Sequence, residues 1–127
     1  MKHDVETRDD LERILREFYT QLMSNRKLQP YFDKFREEHV LEHHLKDLTD
    51  FWEGALFYRG SYRKNVMEIH RKIDEGNKLR SEHFEAWLMN LDQAVDKFYK
   101  GQNAENMKTR ARSIATVMEI KFHDPEK

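Results

Sequence analysis

Two histidines carry the first chemical signal in the sequence. His44 lies in LEHHLKDLTDFWEGAL over residues 41–56, where Leu41, Leu45, Leu48, Trp52 and Leu56 recur at three- and four-residue steps. That is the spacing of one buried face of an α-helix. Phe51 shares the face. An imidazole there stands among hydrocarbon, where an unpaired polar group is costly. His70 follows 26 residues on, with Met67 and Ile73 at helical spacing from it. Two inward histidines on successive helices, set among aromatics and methionine, suggest a flat cofactor held between the helices. The pattern reads as a haem pocket, with His70 on the iron and His44 on the opposite, ligand-binding side.

Spacing leaves plainer alternatives open. His70 at a core edge would bond a backbone carbonyl, and a partly exposed His44 would do no more than gate the pocket. His43 sits about 100° round the helix from His44, towards the polar side, so His44 is the inward candidate.

The elements that must position these residues are helical. A first helix is expected over about 9–24, with Thr7 and Asp10 in a capping arrangement and Leu11, Ile14, Leu15, Phe18, Tyr19, Leu22 and Met23 as its stripe. Ser24, Asn25 and Pro30 break it, and YFDKF makes about one turn that turns Phe32 and Phe35 inward. A second long helix spans about 37–58, and a short one around 64–73 carries His70. Ser81 caps a helix whose stripe is Phe84, Trp87, Leu88, Leu91, Ala94, Val95 and Phe98, with Gly101 as its terminator. The last helix, about 104–122, presents Met107, Ala111, Ile114, Ala115, Met118 and Phe122. Nothing alternates long enough to read as a strand, and only four glycines and two prolines punctuate the chain. The fold class expected is all-α, with the long helices packed as two antiparallel pairs.

Composition narrows the function. The 127 residues read as a single domain, 1–127, with an ordered core of about 5–122. The mix of 38% hydrophobic, 12% aromatic and 37% charged residues suits amphipathic helices rather than a disordered chain. Twenty-three basic against 24 acidic residues give a net charge of −1, so no global field attracts nucleic acid or an anionic membrane. The lack of cysteine excludes disulfides, thiolate ligation and covalent haem attachment, so a haem here is non-covalent. No apolar run approaches the roughly 20 residues of a membrane span. The polar start, MKHDVETRDD, is unlike a secretory signal, and a cytoplasmic protein is the expectation.

Read in order, the inward residues resemble a known family. Phe18-Tyr19, Pro30-Tyr31-Phe32, His44 eight residues before Trp52 in Asp50-Phe51-Trp52-Glu53-Gly54, Tyr62, Met67-x-x-His70, His83-Phe84-x-x-Trp87-Leu88 and Arg110-Ala111-x-x-Ile114-Ala115 together resemble the truncated haemoglobins. The likeness covers about residues 5–122 and is closest to the third group of these bacterial globins. It implies a two-over-two helical globin holding haem b. His70 becomes the proximal iron ligand, Tyr19 and Trp87 distal hydrogen-bond donors, His44 the distal histidine with Leu48 beside it, and Phe32 a packing surface for the porphyrin. Phe51, Trp52, Tyr62 and Met67 complete the expected cofactor contacts. The chain departs from many relatives at Tyr58 and Lys64, where glycine is common, at Val66, and in Lys78-Leu79-Arg80, which lacks a proline.

On this reading Tyr19 and Trp87 donate to dioxygen on ferrous iron, and the partners are diatomic gases (dioxygen, carbon monoxide, nitric oxide) and a reductant. Two donors imply slow release, which suits nitric oxide dioxygenation or peroxide reduction. The plain alternatives are a Tyr19 hydroxyl tied to a backbone carbonyl and a Trp87 that only fills the core. Arg59, Arg63, Lys64, Arg71 and Lys72 are candidates for the haem propionates. The contrasting class is a haem-free helical sensor or interaction domain on a globin scaffold. His39 and His43 have the spacing to grip zinc or nickel but no evident third ligand, and a solvated face is expected. No pair of Glu-x-x-His motifs suggests a di-iron bundle.

Overall fold

Thr7 starts the first helix. Its hydroxyl accepts the Asp10 backbone N–H at 3.1 Å, while the Asp10 carboxylate accepts the Thr7 N–H at 3.1 Å. This reciprocal box closes two donors at the helix start. From there α1 runs Arg8–Ser24 in the computed structural model, which describes residues 2–57 and 81–122. Its buried face is Leu11, Ile14, Leu15, Phe18, Tyr19 and Leu22. At its end the Arg36 guanidinium donates to the Met23 carbonyl at 2.8 Å, satisfying a carbonyl with no partner further along the helix.

Pro30, preset for a first helical turn, opens the four-residue α2 (Gln29–Phe32), which tightens into a 3₁₀ turn over Asp33–Arg36. This compact turn delivers Phe32 and Phe35 to the core. It leads into α3 (Glu38–Phe57). Beyond the undescribed stretch come α4 (Ser81–Phe98) and α5 (Gln102–Phe122). The described residues hold helices and no strand.

Side-chain partners give the helix directions. Arg8 reaches Asp50 at 2.7 Å and Glu53 at 2.9 Å, and Arg16 reaches Glu42 at 2.6 Å, so α3 runs antiparallel to α1. Arg112 meets Asp92 at 2.9 Å and Lys108 meets Asp96, so α5 runs antiparallel to α4. The two pairs stack through α1 on α4 and α3 on α5. The result is an all-α two-over-two sandwich, which holds the two antiparallel pairs expected from periodicity in the arrangement that the family resemblance implies.

The helix faces differ in detail from the periodic stripes. Leu41 and Leu56 are only half-buried, packed against the edge of the core near the ends of α3. Thr49 is buried instead, its hydroxyl donating to the Leu45 carbonyl at 2.6 Å. On α4, Leu88 is half-buried, while Asn90 is buried and donates to the Ala86 carbonyl at 2.7 Å. The helix stops at Phe98, three residues before Gly101. Tyr99 turns inward there and donates to Asp10 at 2.8 Å. Burial works against the Asp10 charge, but hydrogen bonds from Glu6, Tyr99 and Thr7 outweigh it and hold the carboxyl below its ordinary range.

The residues before α1 fasten this end of the sandwich. Asp4 accepts the backbone N–H groups of Asn103 at 2.8 Å and Ala104 at 2.9 Å, capping α5 from about a hundred residues away. Asn103 answers with a side-chain bond to the Val5 carbonyl at 2.7 Å, and Lys100 N–H donates to the His3 carbonyl at 3.0 Å. Val5 is fully buried beneath the strap. Gly101 has φ +155°, and a Cβ there would collide with the Asp4 carboxylate. Asp4→Ala is therefore expected to cost about 1–2 kcal/mol in denaturant unfolding. A stability equal to that of the parent chain would show that the cap is idle.

Candidate functional site

The site is assembled where α1, α3, α4 and α5 meet. Leu15, Phe18, Tyr19, Leu48, Phe51, Trp52, Trp87, Leu91 and Ile114 wall an apolar cavity of about 10 Å3, room for roughly one molecule the size of water. Each helix contributes its inward stripe, so the wall follows from the spacing that forms the helices. Phe51 and Ile114 are half-buried at its margin, and Leu48, Trp52 and Leu91 are buried.

The lining residues that carry polar groups are Tyr19, with its hydroxyl, and Trp52 and Trp87, each with an indole N–H. Tyr19 is fully buried, and its one hydrogen bond among the described residues joins its hydroxyl to His44 Nε2 at 2.6 Å. A phenol proton without an acceptor in such surroundings would be costly. The O–H therefore donates, and the neutral imidazole carries its own proton on Nδ1. Burial pushes the Tyr19 phenol well above its ordinary pKa, so it stays protonated.

His44 itself does not line the cavity. It stands behind Tyr19, buried, with Phe35 stacked on its ring at 4.5 Å and 22° between planes. Phe32 and Phe35 meet Tyr19 edge-on at 5.7 and 5.3 Å. On the other side Phe18 bridges Tyr19 and Trp87 edge-on, at 5.4 and 5.5 Å. Tyr19 is thus fixed by rings all round and by one strong polar contact.

The structure brings Tyr19, Trp87, Leu48, Phe51 and Trp52 onto one wall, with His44 and Phe32 behind Tyr19. His70, Tyr62 and Met67 lie outside the described residues. So do the basic cluster at 59–72, the short helix expected at 64–73, and the departures at Tyr58, Lys64, Val66 and 78–80. Phe35 and Phe18 have roles that sequence reasoning missed, since each reads as plain core. The adjacency of Phe18 to Tyr19 is the one signal that pointed to either. His43 faces Asp47 at 3.7 Å and His39 faces Glu37 at 4.0 Å, both largely exposed. No group of three metal-binding side chains occurs among the described residues.

The cavity is at the lower limit for a single water and has no room for a tetrapyrrole. A haem would need more room than this cavity offers. What the described residues offer such a group fits its ligand-binding side: an apolar and aromatic wall, a buried phenol and an indole N–H, with no carboxylate among them.

Comparison with known proteins bears on the fold. The chain is similar to the crystal structure of group III truncated hemoglobin from Campylobacter jejuni, with a TM-score of 0.83 and 20% identity over 96% of this chain and 95% of that one. No family model matches the sequence, and no curated protein does. The chain therefore has the truncated-haemoglobin fold, and none of its described helices is long and apolar enough to cross a membrane.

Tyr19→Phe keeps the ring and strips His44 Nε2 of its buried donor. The expected loss is about 1–2 kcal/mol of unfolding free energy. An unchanged denaturation midpoint would mean that the bond contributes nothing.

Proposed function

We propose that this chain is a haem b globin that takes up dioxygen and other diatomic ligands, with His70 as the proximal iron ligand. The observation that supports the reading is a fully buried phenol on the wall of a small apolar cavity, within the truncated-haemoglobin fold. When bound, haem supplies a ferrous iron that holds the gas. Phe32, Leu48, Phe51, Trp52, Tyr62 and Met67 would pack the porphyrin. The basic residues 59–72 are placed in sequence to meet its propionates.

The chain's own donors then set how long a ligand stays. The Trp87 N–H can only donate. The Tyr19 proton is contested: a ligand that accepts it competes with His44 Nε2. Each good hydrogen bond to a charged acceptor contributes about 1.5–3 kcal/mol, roughly tenfold or more in release rate. Two donors favour retention over bulk transport, which suits nitric oxide or peroxide chemistry supported by a cytoplasmic reductant.

The small cavity also supports a second reading, a haem-free interaction domain whose pocket has closed on the Tyr19–His44 bond. Titration of hemin into the purified chain separates the two. The haem reading predicts uptake of one equivalent with a strong Soret band, and loss of that band in His70→Ala. A folded chain that refuses hemin, or a band unchanged in His70→Ala, would overturn it.

A further inference from the structure

The Tyr19–His44 contact has a chemistry of its own that needs no ligand in the cavity. We propose that the pair is a built-in one-electron donor: an oxidant takes an electron from the Tyr19 phenol while the phenolic proton passes along the 2.6 Å hydrogen bond to His44 Nε2. The balance closes within the pair. The O–H bond breaks, an N–H bond forms, the oxidant gains one electron, and a neutral phenoxyl radical remains beside an imidazolium. The oxidant is an outer-sphere one-electron oxidant, and an external one-electron donor restores the phenol. Service of the pair to a bound haem would rest on the haem reading above; the redox behaviour of the pair does not.

Burial makes the coupling compulsory. Tyr19 has no exposed surface, so its proton cannot leave to water. Loss of the electron alone would strand a cation in hydrocarbon, at high cost. Prior loss of the proton is blocked because burial holds the phenol in its neutral form. A base already in contact lets electron and proton leave the phenol together, and moves the positive charge to an imidazole, which holds a proton far more readily than an oxidised phenol does. At 2.6 Å the proton needs to travel only about 0.5–1 Å. The imidazolium formed is met by the face of Phe35 at 4.5 Å, where a ring quadrupole favours a cation.

The surroundings give the electron a path. Phe18 links Tyr19 to Trp87 with ring centroids 5.4 and 5.5 Å apart, so the next oxidisable ring is in close electronic contact. The other buried phenol among the described residues, Tyr99, donates to Asp10 at 2.8 Å. That carboxylate is a far weaker base than an imidazole, because its hydrogen bonds hold its pKa low. Tyr99 therefore serves as an internal comparison.

The test is photo-oxidation of the full chain, with and without added hemin, by flash-quenched ruthenium tris-bipyridine, followed by electron paramagnetic resonance of the frozen sample. The expected result in the haem-free chain is a neutral tyrosyl signal with a proton coupling that disappears in D2O. Tyr19→Phe should abolish that signal and Tyr99→Phe should leave it. His44→Gln keeps an acceptor but no base, and should lower the yield roughly tenfold or more. If His44→Gln does not fold, as judged by circular dichroism, Tyr19→Phe and the D2O measurement on the parent chain decide. Absence of a tyrosyl signal in the folded parent, a signal that survives Tyr19→Phe, or a full yield in His44→Gln would each overturn the proposal. Hemin uptake is read separately by absorbance, so a chain that fails to bind haem can still show, or fail to show, the radical.

Discussion

One buried hydrogen bond, from the Tyr19 phenol to the His44 imidazole, is the constraint on which the site depends. In a low-dielectric interior such a bond is strong when made and expensive to leave open. It demands that residue 19 of α1 face residue 44 of α3, which fixes the register of the two antiparallel helices. The charge pairs of Arg8 and Arg16 lie along the same seam, but they are partly solvated, and solvent-screened pairs contribute little. Packed rings hold the register instead. Phe35 stacks on the imidazole, Phe32 and Phe35 meet the phenol edge-on, and Phe18 carries the contact across to Trp87 on the other helical pair. A change in how α1 sits on either neighbour would be felt at the Tyr19 hydroxyl.

The opposite end of the sandwich is held by a different device. Asp4 caps α5, Asn103 returns a bond to the strap, and Tyr99 reaches Asp10 in the first turn of α1. These polar contacts close the backbone groups exposed where α4 turns into α5, and they tie that turn to the start of α1. The ring cluster at one end and the strap at the other therefore fix α1 against both partners. The cavity between them stays small, and its polar lining is limited to groups that can address one small ligand.

The helices were legible in the sequence because their apolar spacing is strong and their starts are marked. Thr7 with Asp10 and Pro30 each act through local geometry that needs no tertiary contact. Tyr19, His44 and Trp87 were legible as inward residues for the same reason. Periodicity could not show that Tyr19 and His44 touch, or that His44 stands behind the cavity wall, since both depend on the crossing of α1 and α3. Phe35 offered no signal beyond its apolarity; its role exists only in the stack on His44. Gly101 was expected to end the helix, but α4 already stops at Phe98, and the reason for glycine is Asp4, which approaches from the far end of the chain. Leu41 and Leu56 kept the period without full burial, since spacing shows which side of a helix faces inward but not how deeply each position is covered.

The most direct test of the central contact is proton NMR of the haem-free chain, following the Tyr19 hydroxyl. The account predicts a slowly exchanging low-field hydroxyl resonance, with nuclear Overhauser contacts to the His44 and Phe35 rings. A Tyr19 hydroxyl in fast exchange with water, or a His44 ring without contact to Phe35, would contradict it.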